Sequence, residues 1–349
     1  MKKKILSLLL AFAIVFSVFI PVNIMPETEL IADAATVTCN YEPIGISSYQ
    51  ELDEALRQAY NGMVLQLTQD INVGATSADM TIRPDMTNMT VVLDLNGHNI
   101  KYSQVQNSTF RGIDLNCSNS NFHIINSAYD KGDAKASIGG YTTGFSFLFL
   151  DNPTASCYIG PGVEIKGSNA SRALVCLDFF KNFVMYESDI TVDSALADNT
   201  TDCIMFAPAQ GYGSAYSNSN FRLNKCNLTT KKGDCIDLRY FGTFTANKSG
   251  AMSFVLNQTM LKVNHDDAYA INLSHAQNAS SNVNVGDLCY EPGIINVHGY
   301  NPYVGNCFFS GKIQSIFSGC DIYFYNNAYR TSSCSHSGSR ANIFSCSAS

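Results

Sequence analysis

Tryptophan is absent from this 349-residue chain, and charge is scarce, with Asp, Glu, Lys and Arg making up 15% of it. Its 22 Lys and Arg are outnumbered by 29 Asp and Glu, the formal net charge is -7, and no basic stripe is visible. That balance excludes a nucleic-acid binder and a protein held on an anionic membrane by a basic face. None of the 12 cysteines forms a Cys-x-x-Cys pair, which sets aside a zinc ribbon. No cysteine follows the first apolar run closely enough to suggest a lipid-modified N-terminus. Past that run every hydrophobic segment is interrupted by polar residues, whereas a membrane-spanning helix needs about 20 apolar residues. What the chain does have is Asn, Ser, Thr and Gly in abundance, with 18 Tyr and 21 Phe. This is a β-rich, extracellular composition.

The chain opens MKKKILSLLLAFAIVFSVFI, three lysines before an apolar run, and Ala32-Asp33-Ala34 supplies a small-x-small cleavage site. The pattern predicts a bacterial-type secretory signal peptide over 1–34, and a leader strand or linker over 35–46. The expected location is therefore extracellular, secreted or at the cell surface, with no membrane contact after cleavage. The remainder is long enough to bury a large core. Several cysteines sit at one place in successive repeats, where a small buried thiol is a sufficient explanation. A Ser/Cys-rich tail or end cap is expected over 328–349, where Cys334 and Cys346 are the candidates for a disulfide.

One segment reads as helix, Ser47 to Gly62, with Leu52, Ala55, Leu56 and Ala59 on one face, Ser48 as N-cap and Glu51 three residues on. After it come MVLQLTQDINV, MTVVLDLNGHNI and FRGIDLN, whose hydrophobicity alternates with period two between turn residues, as in strands. The organising feature is repetition. NFVMYESDITV, NFRLNKCNLTT and SFVLNQTMLKV place Phe183, Phe221 and Phe254 at intervals of 38 and 33 residues. Met185, Leu223 and Leu256 follow two residues later, and Ile190, Leu228 and Leu261 seven later. A third apolar run then ends each unit, as in RALVCLDFF, DCIMFA, GDCIDLRYF and DAYAINLSH. Three short strands joined by turns and stacked on the next unit would bury these side chains as ladders.

The helix, then MVLQLTQDI, VVLDLNGHNI and the Phe-initiated units, resembles the right-handed parallel β-helix proteins of the pectate-lyase-like superfamily, particularly secreted and surface proteins of Gram-positive bacteria. The resemblance implies an all-β fold, a single-stranded parallel β-helix with three strands per coil, over 47–327, with an N-terminal capping helix. It is specific for fold only, since the superfamily holds polysaccharide lyases, glycoside hydrolases, epimerases and non-catalytic adhesins.

Strand alternation in GDCIDLRYF sets Ile236 and Leu238 against Cys235, Asp237 and Arg239. With the Ile and Leu in the core, Asp237 and Arg239 face outward, onto the strip where enzymes of the resembled superfamily bind sugar chains. Aligned repeats put Asp114, Cys176, Met205, Asp237 and Asn272 in one outward column, and Asn116, Asp178, Ala207, Arg239 and Ser274 in the next. Asp178, Asp237 and Arg239 are thus the candidate catalytic residues. Asp114, Asn116, Tyr240, Asn272 and His275 are the candidates for substrate binding. Asp266 and Asp267 are candidate metal ligands; the plainer reading of the pair is a solvated turn ahead of a strand, since Asp202 and Asp234 hold the equivalent pre-strand position without any histidine. A lyase of that superfamily would need Ca²⁺ and a basic residue such as Arg239, but Met205 and Ala207 fall where a further ligand is required. The hydrolase pattern of paired aspartates before Cys-Ile is reduced here to Asp234 alone, and Val297-His298-Gly299 departs from Gly-His-Gly. The expected activity is therefore binding of carbohydrate or another surface polymer without cleavage and without a required cofactor. The alternative is a polysaccharide lyase or glycoside hydrolase acting on a uronate-containing polysaccharide.

Overall fold

The computed structural model describes residues 42–129, 134–193, 200–206, 219–237, 253–257, 259–263 and 269–272, and then short strand backbones between 303 and 343. Helix α1, Tyr49–Arg57, is shorter than its sequence signal. Its start is the expected one: the Glu51 amide donates to Ser48 Oγ at 3.2 Å, and Glu51 accepts from the Ser47 amide at 2.8 Å. Leu52 and Leu56 enter the core, and the Asp85 amide bonds the Leu56 carbonyl, tying the helix end to the following chain. Among the described residues no helix is long and apolar enough to cross a membrane.

From Met63 onward the chain visits three sheets in turn. Met63–Leu67 begins the series in the first sheet, Ile71–Val73 in the second, and the bridge at Ile82 leads into Ile113–Leu115 in the third. Among the described residues all pairing is parallel, and the sheets hold 11, 9 and 8 strands. An arrangement of three all-parallel sheets and one helix is compatible with a parallel β-helix.

The equal offsets in the sequence become vertical ladders. Cys157, Phe183, Phe221 and Phe254 pair rung on rung in the first sheet. Ile138, Ile165, Ile190, Leu228 and Leu261 do so in the second, and Ile113, Leu148, Val175, Ile204, Ile236 and Ile271 in the third. A strand side chain recurs on one face every second residue, so each repeat delivers its apolar set to the same interior. The pairing extends to Ala341–Ile343 in the first sheet.

Polar residues form ladders as well. Ser188 and Cys226 stack at the turn between first and second sheets, Ser188 Oγ 3.8 Å from Cys226 Sγ, with Thr259 equally buried in the next repeat. The residues before the first two, Glu187 and Lys225, have φ of 49° and 54°, so the chain turns sharply at this point in both repeats. At the start of the first-sheet strands, Asn182 Nδ2 donates to Ser156 Oγ at 3.0 Å and to the Tyr158 hydroxyl at 3.3 Å. Its Oδ1 accepts from Asn220 Nδ2 at 2.8 Å. Asn182→Ala removes all three bonds inside a buried row and should cost about 2 kcal/mol. A shift of the urea midpoint at unchanged slope checks this.

Candidate functional site

Parallel pairing confirms the first outward column and completes it: Asp114, Phe149, Cys176, Met205, Asp237 and Asn272 lie on successive strands of the third sheet. The strand carrying Phe149, which the sequence alignment passed over, separates Asp114 from Cys176. The side chains of Asp114, Phe149, Cys176, Met205 and Asp237 stand apart from the inward ladders, yet the column is not open. Asp114 is 4% exposed, and Phe149, Cys176 and Asp237 are 0% exposed.

Part of the cover comes from the turns that enter the third sheet. Gly112, at φ 64°, lets the chain cross so near Phe147 that a Cβ would lie 2.0 Å from the Phe147 carbonyl oxygen. Arg111 is thereby carried over the column, its guanidinium 4.2 Å from the Phe149 ring centre and 5.7 Å from that of Phe145. Two repeats on, ahead of the strand Ala173–Phe179, Arg172 lies 4.4 Å over Phe145. Phe145 thus contacts two guanidiniums, an arrangement favoured by the ring quadrupole.

Three carboxylates complete the strip. Arg111 Nη1 lies 3.2 Å from Asp114 Oδ2 and 3.4 Å from Asp151 Oδ2, so one cation bridges two repeats. Arg83 approaches Asp114 Oδ2 at 3.7 Å and Asp79 at 3.1 Å. Arg172 is 3.5 Å from Asp178 Oδ1, which also accepts from the Cys176 thiol at 3.5 Å. Asp178 occupies a bulge: Leu177 pairs with Leu150 but Phe179 with Asp151, leaving Asp178 as the extra residue.

Burial raises the Asp178 carboxyl to about 7, with the Asp151 charge pushing the same way and Arg172 pulling back. Asp114 and Asp151 are raised too, burial outweighing the pull of Arg111. A carboxyl raised in the folded state adds stability below its unfolded value, near 4, and loses it as pH climbs through about 7. Asp178→Asn should therefore flatten the decline in stability between about pH 4 and 7. Melting curves across that range check it, and an unchanged slope refutes it.

Arg83, Thr109, Arg111, Asp114, Asn116 and Phe145 line a groove of about 460 Å³ at the start of this strip. That is within the ~300–1,000 Å³ usual for small-ligand clefts. Asn116 is exposed and accepts from Asn152 Nδ2 at 3.4 Å.

Asp237 belongs to a second group. One carboxylate oxygen each from Asp202, Asp234 and Asp237 lie within 4.8 Å of one another, all three residues buried. The pre-strand position used to read Asp266 and Asp267 as a solvated turn is not solvated at Asp202 and Asp234: they are 2% and 5% exposed, and the Asp234 amide donates to Asp202 Oδ1 at 2.6 Å. Three carboxylate oxygens so close are hard donors of the kind Ca²⁺ takes, but a calcium site uses about 6–8. Cys235 is also corrected. It precedes the strand Ile236–Asp237, and its thiol turns into the core to donate to the Leu228 and Lys262 carbonyls at 3.5 and 3.4 Å.

The six described cysteines, Cys117, Cys157, Cys176, Cys203, Cys226 and Cys235, are buried and free. Burial pushes the Cys117 and Cys226 thiols up to about 11, so neither is a nucleophile at neutral pH. Arg239, Tyr240, Asp266, Asp267 and His275 lie outside the described residues, as do Cys334 and Cys346. Asn272 is described as backbone, paired with Asp237 and Gln314.

In comparison with known proteins, no family model, no curated protein and no solved structure matches this chain. The assignment therefore rests on the site's own chemistry. The sequence reading missed Arg83, Arg111, Phe145, Asp151 and Arg172. A signal for two of them existed, since FRGIDL and SRALVCL each place an arginine just ahead of a third-sheet strand.

Proposed function

We propose that this chain is a secreted or surface-displayed right-handed parallel β-helix of the pectate-lyase-like type. In this reading it carries three strands per coil and an N-terminal capping helix, and binds a polysaccharide or another surface polymer along the outer side of its third sheet. The carrying observation is the groove beside Arg111 and Phe145, where guanidinium, carboxylate and amide groups converge next to an aromatic ring. Such a mixture offers donors and acceptors in fixed positions, as hydroxyl-rich ligands require. Binding of this kind needs no cofactor. Purified protein should be retarded in native gels containing a polysaccharide it recognises, and the double variant Arg111→Ala, Phe145→Ala should lose at least tenfold in affinity. Equal retardation of both proteins would remove the groove from the function.

A second reading, a polysaccharide lyase or glycoside hydrolase, is favoured by the Asp178 carboxyl near 7, a value suited to a general acid. Asp151 would be its partner carboxylate, and a calcium-dependent lyase would draw on Asp202, Asp234 and Asp237. New reducing ends or ultraviolet-absorbing unsaturated products, lost in Asp178→Asn, would establish this reading over pure binding.

A further inference from the structure

We propose that the groove takes a neutral, hydroxyl-rich glycan and discriminates against polyuronates. This rests on the polysaccharide-binding reading and specifies its ligand.

The first reason is charge. Each guanidinium of the strip already holds at least one carboxylate: Arg83 has Asp79 and Asp114, Arg111 has Asp114 and Asp151, and Arg172 has Asp178. Four carboxylates thus face three cations within these pairs. A uronate would have to displace an internal carboxylate from its arginine. Asp114, 4% exposed, would then be left with a buried charge and fewer partners, which is costly. A sugar hydroxyl demands no such exchange.

The second reason is an unfilled acceptor. Asp114 Oδ2 serves both Arg83 and Arg111, while the buried Oδ1 has no hydrogen-bond partner. Asp114 lines the groove, so a hydroxyl that reaches this buried oxygen as the wall shifts meets a carboxyl acceptor for which no protein donor competes. A carboxylate ligand has no proton to offer at neutral pH. Arg83 is 50% exposed and held to Asp114 only at 3.7 Å, so it is the side chain able to shift as the ligand enters. Asn116 and Thr109, both exposed on the groove wall, can each donate and accept, which suits adjacent hydroxyls.

The experiment is affinity electrophoresis and titration calorimetry of the whole protein at pH 8 and low salt. The probes are neutral glucans, xylans and mannans set beside polygalacturonate and alginate. At least one neutral polymer should bind at least tenfold more tightly than either polyuronate. Asp114→Asn should lower that affinity about tenfold. Because Asp114 is buried and its substitution puts folding at risk, Asp79→Asn, at a side chain 37% exposed, supplies the independent arm. By releasing Arg83 it should raise polyuronate binding at least threefold while leaving neutral binding within twofold. Tighter binding of a polyuronate, lost in Arg111→Ala, would overturn the neutral specificity and leave the groove as a polysaccharide site. Absence of binding to every glycan, or binding indifferent to Arg111→Ala, would overturn both.

Discussion

Alanine in place of Phe221 is expected to destabilise the chain by about 3–5 kcal/mol, the range for removing a buried aromatic side chain without refilling its space. Phe221 is fully buried. Its ring stacks on Phe183 with centroids 5.7 Å apart and 14° between planes, and meets Phe206 edge-on at 5.1 Å. A core made of ladders gives a large side chain partners from a neighbouring rung, so one truncation opens a cavity against Phe183 and Phe206 of the preceding repeat. Nothing small can collapse into it, because the neighbouring positions are set by backbone pairing, Phe183 with Phe221 and Phe221 with Phe254. Urea unfolding followed by circular dichroism measures the loss, and a change below about 1 kcal/mol would refute this account of the core.

Gly140→Ala should be comparably severe, on the order of 3–5 kcal/mol, for a reason of backbone rather than side chain. Gly139 and Gly140 lie within the strand Ala136–Thr142 with φ of 150° and 132°. A Cβ on Gly140 would stand 2.0 Å from the Tyr102 carbonyl oxygen, and one on Gly139 1.8 Å from that of Lys166. The two glycines therefore let the preceding and the following strands approach from opposite sides, and alanine cannot enter without parting the sheet. Loss of soluble protein, or rapid proteolysis where the native chain resists, is the expected readout. A variant as stable as the parent would show that the strand can relax into an ordinary extended conformation.

Both results bear on how much was legible in the chain itself. The Phe, Ile and Leu ladders could be written down before any coordinates, because a parallel strand repeats its facing every second residue and the repeats keep equal offsets. Cys226 could likewise be placed beside Ser188 and Thr259 without invoking chemistry. The Gly139-Gly140 pair carried no such signal, since a glycine in a strand does not announce which neighbour comes close.

The candidate site divides along the same line. Its outward column was legible, Asp114 through Asp237, because lateral register follows from the ladders. Its cover and its partners were not. Arg111 meets Asp151 across 40 residues of sequence, and Arg172 meets Asp178 only because a bulge adds one residue to the strand. Such contacts depend on where a turn crosses and on one positive φ at Gly112, which no alternation of apolar residues encodes. The sequence alone determined the repeat, its register and the residues that fill the core, since these follow from periodicity and burial. Only the tertiary structure decided that the outward column is buried and that Asp114, with Asp151 and Asp178 nearby, is paired with arginines. It also decided that Asp202 and Asp234 stand beside Asp237, because all of this is fixed by the paths of turns between distant rungs.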